Sequence, residues 1–261
     1  MKYQLVSDVH LHGRQRAGEV AQTDAKALLL AGDVIEWHNA MDRKVGKEFL
    51  FEMAGRYERV YYIPGNHEYY GGRMDKAYQL MKDACEETGV IFAHNQYLDM
   101  GDHVLVAHTL WTNMNNDDPL AKLTVKRGMN DFNYIFQPDG AMFAPEDAMI
   151  HFAQGMRVIR DAVKYADMLR LPVLVMTHHA PHAACLHPHF ANAGAINYGY
   201  FTNLEPFLLD NPQIKAWVHG HVHYANDQML GDCRVMCNPL GYAGYREGEN
   251  YKPDFTFNFP A

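Results

Sequence analysis

The chain alternates short apolar runs, each the length of one β-strand, with longer stretches of helical period. The strand-like runs are residues 3–7, 27–31, 60–63, 104–107, 173–177 and 216–218. The helical stretches are residues 41–56, 73–88, 145–169 and 203–209. This alternation predicts an α/β protein rather than a helical bundle or an all-β sandwich. Two more strand-like runs, at 228–230 and 234–237, flank Gly231 and Asp232 and predict a hairpin.

The chain shows no internal repeat, low-complexity tract or Pro/Ser-rich linker, so we expect a single domain over residues 1–261. The least regular segment is 112–140, which begins with an Asn- and Asp-rich run and ends at Gln137-Pro138-Asp139-Gly140. Long irregular segments in compact domains are often functional, so this one could cap a site. The alternative is a surface excursion packed by its own apolar side chains.

Composition excludes several classes of protein. Hydrophobic residues make up 48% of the chain and charged residues 21%, which is typical of a globular protein. No apolar run approaches the roughly 18 residues that would span a bilayer, and the start does not resemble a secretory signal. We therefore expect a cytoplasmic protein without membrane contact, of unknown oligomeric state. The four cysteines form no Cys-x-x-Cys pair and are expected to be buried free thiols.

The charge balance constrains the substrate. With 23 Lys+Arg against 31 Asp+Glu, the net charge is −8, which argues against a broad basic surface for nucleic acid. A small phosphate-containing substrate stays compatible with this charge if bound metal supplies a local positive field. The 16 histidines of the chain fit such a metal site.

Polar motifs follow five of the predicted strands, at the point where each strand ends. They are Asp8-x-His10, Gly32-Asp33, Gly65-Asn66-His67-Glu68, His178-His179 and Gly220-His221-x-His223. Ligands of open α/β sheets bind beyond the carboxyl ends of the strands, so we expect these loops to converge. Carboxylates, an amide and imidazoles without a thiolate suit Mn, Fe, Zn, Co or Ni better than an all-oxygen calcium site.

Each motif alone is a weak signal, because Gly-Asp is an ordinary turn and a single histidine is more often a core or surface group. Gly220-His221-x-His223 is more specific, since alternate side chains of an extended segment point to the same side. A chance origin of the whole set would require each ligand-type residue to fall at a strand end by accident. A metal site is therefore the favoured interpretation.

In order and type, these motifs, with the fourth extended to Thr177-His178-His179-Ala180-Pro181, resemble those of the calcineurin-like metallophosphoesterases over residues 8–223. Further pieces resemble an uncharacterised bacterial and phage subgroup: Thr109-Leu110-Trp111-Thr112, Met129-Asn130-Asp131-Phe132 and Asn238-Pro239-Leu240-Gly241-Tyr242. The resemblance implies a four-layer α/β/β/α sandwich, in which two mixed sheets pack face to face and helices flank them. It also implies a two-metal centre at the strand ends.

The resemblance further implies which residues hold the metals. It places Asp8, His10 and His223 on one ion and Asn66, His178 and His221 on the other, with Asp33 bridging the two. The ions implied are two divalent or Fe-type transition metals, of which Mn is favoured. After Gly32-Asp33 the chain continues with Val34-Ile35-Glu36-Trp37, whereas the protein Ser/Thr phosphatases continue with Asp-Arg-Gly, so a protein phosphatase is disfavoured.

Such a centre predicts a phosphoesterase that hydrolyses phosphomonoesters or phosphodiesters by attack of a metal-bridging hydroxide, with a nucleotide-like diester favoured. His67 is the candidate general acid, because it adjoins Asn66 and imidazole has an ordinary pKa of about 6.5. The alternative is that His67 only orients a ligand or bonds Asp33. Candidate substrate contacts are His12, His179, Trp111 and Asn113, then Arg14, Arg127 and Asn130. Surface charge is the better explanation for Arg14 and Arg127, and packing at the edge of the core is the better explanation for Trp111.

Two other functions stay open. A metal-dependent nuclease acting on a long polymer would use the same ligands, but the chain lacks a Lys/Arg tract. A non-catalytic phosphatase-fold scaffold that binds a protein partner is the second, although such scaffolds tend to lose ligands and every ligand position here has a competent residue type.

Overall fold

The computed structural model describes residues 1–12, 14, 16–242 and 250–260, which fold around two mixed β-sheets. In spatial order, the first sheet consists of β13 (Thr256–Asn258), β1 (Lys2–Val6), β2 (Ala27–Ala31), β3 (Arg59–Ile63) and β5 (Ile91–Phe92). Only β13 runs antiparallel to its neighbour among these strands.

The second sheet is also mixed. In spatial order, it consists of β11 (Asn226–Leu230), β12 (Cys233–Cys237), β10 (Ile214–His219), β9 (Val173–Thr177), β7 (Val104–His108) and β6 (Gln96–Asp99). The outer strands β11 and β6 are antiparallel to their neighbours, and the inner strands are parallel. Gly231, with φ of 58°, lies between β11 and β12, which confirms the predicted hairpin. Two short strands, β4 (Gly72–Arg73) and β8 (Ile135–Phe136), pair separately.

The α-helices differ widely in length. The longer ones are α1 (Ala40–Arg56), α2 (Met74–Thr88), α4 (Pro119–Gly128) and α6 (Pro145–Leu169). The shorter ones are α5 (Asp131–Tyr134), α7 (Glu205–Asp210) and α3 (Met114–Asp117), of which α3 is a single left-handed turn with positive φ throughout. The Asn39 side chain accepts a hydrogen bond from the Met41 N–H at the start of α1, and α2 ends at Gly89 in a left-handed conformation.

Alternation of side chains along the strands produces four layers. The core between the sheets includes Leu5, Leu29, Leu174, Met176 and Val218. On the outer face of the first sheet, Leu28 and Leu30 belong to the same cluster as Phe49 of α1 and Met81 of α2. On the outer face of the second, Val106 and Val175 cluster with Ile159 of α6. The predicted α/β/β/α sandwich of two mixed sheets is confirmed.

The segment 112–140 is more regular than the sequence predicted, because it contains α4. The Asp118 side chain accepts a hydrogen bond from the Leu120 N–H, and Pro119 occupies the first turn, so the helix has a complete start signal within an Asn-rich run. Strands β4, β5, β6, β8 and β13 were also not predicted. They are short edge strands, for which periodicity is a weak signal.

Two compositional expectations can be compared with the structure. None of the helices in the described ranges is both long and apolar enough to cross a bilayer. Cys85, Cys185, Cys233 and Cys237 are buried and free, as predicted.

Candidate metal centre

Five loops meet at one edge of the sandwich, where the carboxyl ends of parallel strands from both sheets lie side by side. They are the loops that follow β1, β2, β3, β9 and β10. Ligand atoms of Asp8, His10, Asp33 and His223 all lie within 4.8 Å of one another. Those of Asp33, His178 and His221 also lie within 4.8 Å of one another, so Asp33 belongs to both groups. The structure thus brings together, around one shared carboxylate, six residues that the sequence predicted as ligands.

In the first group, two imidazoles and two carboxylates face one another. His10 Nε2 lies 3.0 Å from His223 Nε2. His223 Nε2 lies 3.3 Å from Asp8 Oδ1, and His10 Nε2 lies 3.8 Å from Asp33 Oδ2. Asp8, His10 and Asp33 are buried and His223 is partly exposed, so one side of the group opens towards solvent.

In the second group, three acceptor atoms converge. His178 Nδ1 lies 2.8 Å from the Ala31 carbonyl oxygen, so Nδ1 carries the proton and Nε2 of the neutral ring offers a lone pair. That Nε2 lies 3.3 Å from Asp33 Oδ2 and 3.1 Å from Asn66 Oδ1. Three acceptors this close require a positive charge between them, which a proton or a metal ion can provide.

The pKa values of the histidines also indicate that the centre favours a positive charge. Burial disfavours a charged His178, but Asp33 and Asp8 outweigh it and raise the pKa of His178 to about 9. Burial lowers the pKa of His10 and of His221 well below the ordinary range, so both rings are neutral, the form that coordinates metals. His221 Nε2 is buried and has no hydrogen-bond partner among the described residues. An orphaned lone pair beside a carboxylate fits a metal ligand.

The backbone of these loops is unusual. Asp8, His10, Asp33, His221 and His223 all have φ between 44° and 70°, the left-handed region that residues with a side chain seldom adopt. Such conformations cost of order 1–3 kcal/mol each and cluster at functional sites, where the surrounding structure holds them. Five in one place indicate loops shaped to direct their side chains inwards.

Glycines leave the room that these side chains occupy. A Cβ at Gly32 would lie 2.5 Å from His178 Nδ1, and a Cβ at Gly220 would lie 2.8 Å from Asp8 Oδ2. A Cβ at Gly65 would collide with the Asp33 carboxylate. Any side chain at these positions would therefore displace a predicted ligand, which explains why three of the motifs begin with glycine.

Asn66 is oriented by Asp131, a residue to which the sequence assigned no role. Asp131 Oδ1 accepts hydrogen bonds from Asn66 Nδ2 at 2.7 Å and from the Tyr70 hydroxyl at 2.6 Å. Because the amide nitrogen is held by Asp131, the amide oxygen must face His178. Asp131 follows Met129 and Asn130 in the segment 112–140, so this segment borders the centre.

Replacing Asp131 with Ala is expected to weaken metal binding at Asn66 about 10- to 100-fold, since the amide would no longer be held in one orientation. Isothermal titration calorimetry of the metal-free protein with Mn²⁺ measures this effect. Asp83, exposed on α2, offers a matched Asp→Ala control. Unchanged affinity at every site in the Asp131 variant would contradict the positioning role.

Glu68 organises the loops beneath the centre. Its buried carboxylate accepts hydrogen bonds from the N–H groups of Asp33, Val34 and Gly65 and from the Tyr62 hydroxyl. Burial raises the pKa of Glu68 to about 7. Glu68 thereby fixes the turns that carry Asp33 and Asn66, although the sequence assigned it no function.

The His67 ring lies between the centre and a neighbouring cavity. Its backbone N–H donates to Asp33 Oδ1 at 2.9 Å, so the bond to Asp33 does not use the ring. The ring nitrogen Nε2 lies 2.9 Å from the Tyr242 hydroxyl, and Nδ1 lies 3.6 Å from Glu36 Oε1. Burial opposes a charged His67, but Asp33 and Glu36 outweigh it and raise its pKa. Tyr242, which also stacks on His10 with ring centroids 4.1 Å apart, had no predicted role.

Unlike the predicted ligands, the predicted substrate contacts lie in different environments. His179 and Trp111 are buried and stacked on each other with ring centroids 5.1 Å apart, and His179 also packs on His221 at 4.2 Å. His12 is exposed beside His10, with ring centroids 5.5 Å apart. The Asn113 side chain donates to Asn116 Oδ1 at 2.8 Å.

A cavity of about 720 Å³ opens over the centre. Its inner end is formed by Asp33, Asn66, His67, His221 and His223. Of the seven candidate substrate contacts, only Asn130 is among the described residues that line it. Arg14 and Arg127 are exposed elsewhere on the surface.

Comparison with known proteins gives a consistent result. The family model described as calcineurin-like phosphoesterase matches residues 1–225. An uncharacterised protein of Acanthamoeba polyphaga mimivirus is 26% identical over 248 residues, which cover 88% of this chain and 82% of that protein.

Solved structures share the fold. A phosphopantetheinyl hydrolase from Mycobacterium tuberculosis superposes with a TM-score of 0.67 at 17% identity, covering 97% of this chain and 93% of its own. A dimetal phosphatase from Danio rerio superposes with a TM-score of 0.53 at 13% identity, covering 91% and 86%. At these identities the likeness concerns the fold alone.

Proposed function

Because this chain belongs to the calcineurin-like phosphoesterase family, we propose that it is a hydrolase that cleaves small phosphoesters with two metal ions. The observation that carries the proposal is the pair of ligand groups that share Asp33. One shared carboxylate between two sets of imidazoles suits two ions a few ångströms apart, the arrangement used by two-metal hydrolases.

The ligand assignment follows these groups. Asp8, His10 and His223 would hold one ion, Asn66, His178 and His221 the other, and Asp33 would bridge them. Mn is the favoured metal, and the oxygen and nitrogen donors also suit Fe, Zn, Co or Ni. Bound ions would activate water for attack on phosphorus and offset the charge of the phosphoryl oxygens.

The protein's own contribution to the reaction is proton transfer and positioning. We assign the role of general acid to His67, which would protonate the leaving oxygen of the ester. Glu36 beside Nδ1 favours the protonated ring, and Tyr242 at Nε2 fixes its orientation. Both neighbours support a ring that is held in place and charged before the ester bond breaks.

A small diester of nucleotide type is the favoured substrate. The cavity is much larger than one phosphoryl group, and among the described lining residues Asp33 is the only one of the Asp, Glu, Lys and Arg type. A site without a described arginine has less reason to require a terminal phosphate dianion. The net charge of −8 supports a small molecule rather than a nucleic acid polymer, and the cytoplasmic location remains a prediction.

The test compares bis-p-nitrophenyl phosphate with p-nitrophenyl phosphate, using protein loaded with Mn²⁺ and its metal content measured by mass spectrometry. We expect two ions per chain, loss of turnover on chelation and faster cleavage of the diester. Two bound ions without turnover of either ester would favour a scaffold. Cleavage of single-stranded DNA faster than both esters would favour a nuclease.

A further inference from the structure

The outer end of the cavity is lined by rings and aliphatic side chains, and we call it the aromatic cleft. The residues that define it are Leu186, His187, Phe190, Ile196, Tyr200 and Tyr224. They come from two places in the chain: a stretch of short 3-10 turns after β9, and the loop that follows His223. The aromatic cleft therefore has two walls from separate loops.

The longer wall is held by hydrogen bonds rather than by regular secondary structure. Asn197 Nδ2 donates to the Phe190 carbonyl at 2.8 Å, which ties two turns together. The Ala180 N–H donates to the Tyr200 carbonyl at 3.1 Å, which joins the end of the wall to the loop after His178 and His179. The wall is thus fixed relative to the metal centre.

Phe190 lies on this wall and is 56% exposed. Its ring is framed by those of its neighbours: His187 lies 5.9 Å from Phe190 and 4.8 Å from Tyr224, measured between ring centroids. An exposed phenyl ring costs hydrophobic free energy, and in a concave wall it is a ready surface for a ligand. The face of the ring is best matched by another planar ring.

The aromatic cleft is continuous with the metal centre. The Tyr200 ring lies 5.0 Å from the ring of His221, and Val222 lines the cavity between His221 and His223. A substrate whose phosphorus sits at the centre would therefore extend one ester arm along Tyr200 towards Phe190. Asn130 and Asn250 line the same cavity.

We propose that the aromatic cleft binds an uncharged planar ring carried on the ester arm that stays on phosphorus, and that Phe190 selects for that ring. This inference rests on the proposed function, because the cleft adjoins the same centre. It narrows the substrate to phosphoesters with an aryl or nucleobase arm, in preference to those with short alkyl or sugar arms.

The kinetic test uses two diesters with the same leaving group, bis-p-nitrophenyl phosphate and methyl p-nitrophenyl phosphate. They differ only in the arm that stays on phosphorus. Phe190→Ala is expected to lower kcat/KM for the aryl diester about tenfold, mainly through KM, and to leave that for the methyl diester within about twofold. Phe51→Ala, at a residue of α1 that is 67% exposed, is the matched control.

A binding test examines the aromatic cleft without depending on catalysis. Phosphonates have no ester bond to hydrolyse, so 4-phenylbutylphosphonate and butylphosphonate can be titrated calorimetrically into the Mn²⁺-loaded protein. We expect the phenyl compound to bind about tenfold tighter, and Phe190→Ala to remove that difference. Equal affinities in the unaltered protein, or a difference that survives in Phe190→Ala, would overturn the proposal. Tight phenyl-dependent binding without hydrolysis of any ester would uphold the aromatic cleft and refute the proposed activity.

Discussion

Replacing Asp33 with Asn is expected to lower kcat/KM for bis-p-nitrophenyl phosphate by more than about 10³-fold, the largest loss we anticipate for a single conservative change. Asp33 contributes to both ligand groups, so its loss affects both ions at once. The amide keeps the volume of the carboxylate but removes one of two negative charges, and it turns an N–H donor towards His178 or His10. Steady-state kinetics together with metal analysis measure the effect.

The control for Asp33→Asn is Asp83→Asn, an exposed change on α2 that preserves the same chemistry away from the centre. We expect the Asp33 variant to retain its fold, because its backbone N–H still donates to Glu68. Two ions per chain and turnover within tenfold of the unaltered protein would rule out a bridging role for this carboxylate.

Replacing His67 with Gln is expected to lower kcat about 10²- to 10⁴-fold for an ester with a poor leaving group, while metal content stays at two ions per chain. The loss should be much smaller for p-nitrophenyl esters than for phenyl esters, because nitrophenolate departs without a proton. Kinetics on both substrates, in the His67 variant and in the unaltered protein, measure this dependence.

His189→Gln serves as the control for His67, since His189 is exposed and is not among the described residues lining the cavity. An equal loss for both leaving groups would show that His67 orients other groups and transfers no proton. A loss of metal in the His67 variant would show that His67 supports the metal ligands.

The strand ends could be predicted from sequence because local patterns determine them. Short apolar runs define β1, β2, β3, β9 and β10, and the polar residue after each run sits where a parallel strand must end. The conformations of the loops could not be predicted. Met114 to Asp117 all have positive φ, a left-handed turn that Asn and Asp tolerate but that Met114 gives no reason to expect.

The residues that support the centre escaped prediction for a different reason. Asp131 contacts Asn66 across 65 positions of sequence, and Tyr242 contacts His67 across 175, so neither contact leaves a local signal. Sequence patterns also could not decide whether His178 or His179 is the metal ligand. Both rings are buried, and only their orientation separates them: His178 Nε2 faces Asp33, whereas His179 stacks on Trp111.

The centre draws its ligands from both sheets. Asp8, Asp33 and Asn66 follow strands of the first sheet, and His178 and His221 follow strands of the second. A chain in which only one sheet has formed would present half a site, so metal affinity would report how completely the two sheets have docked. By linkage, each ion bound only to the docked state would oppose unfolding by about 2.7 kcal/mol when free metal is roughly 100 times Kd. Bound metals would then stabilise the packing of the two sheets in addition to supporting catalysis.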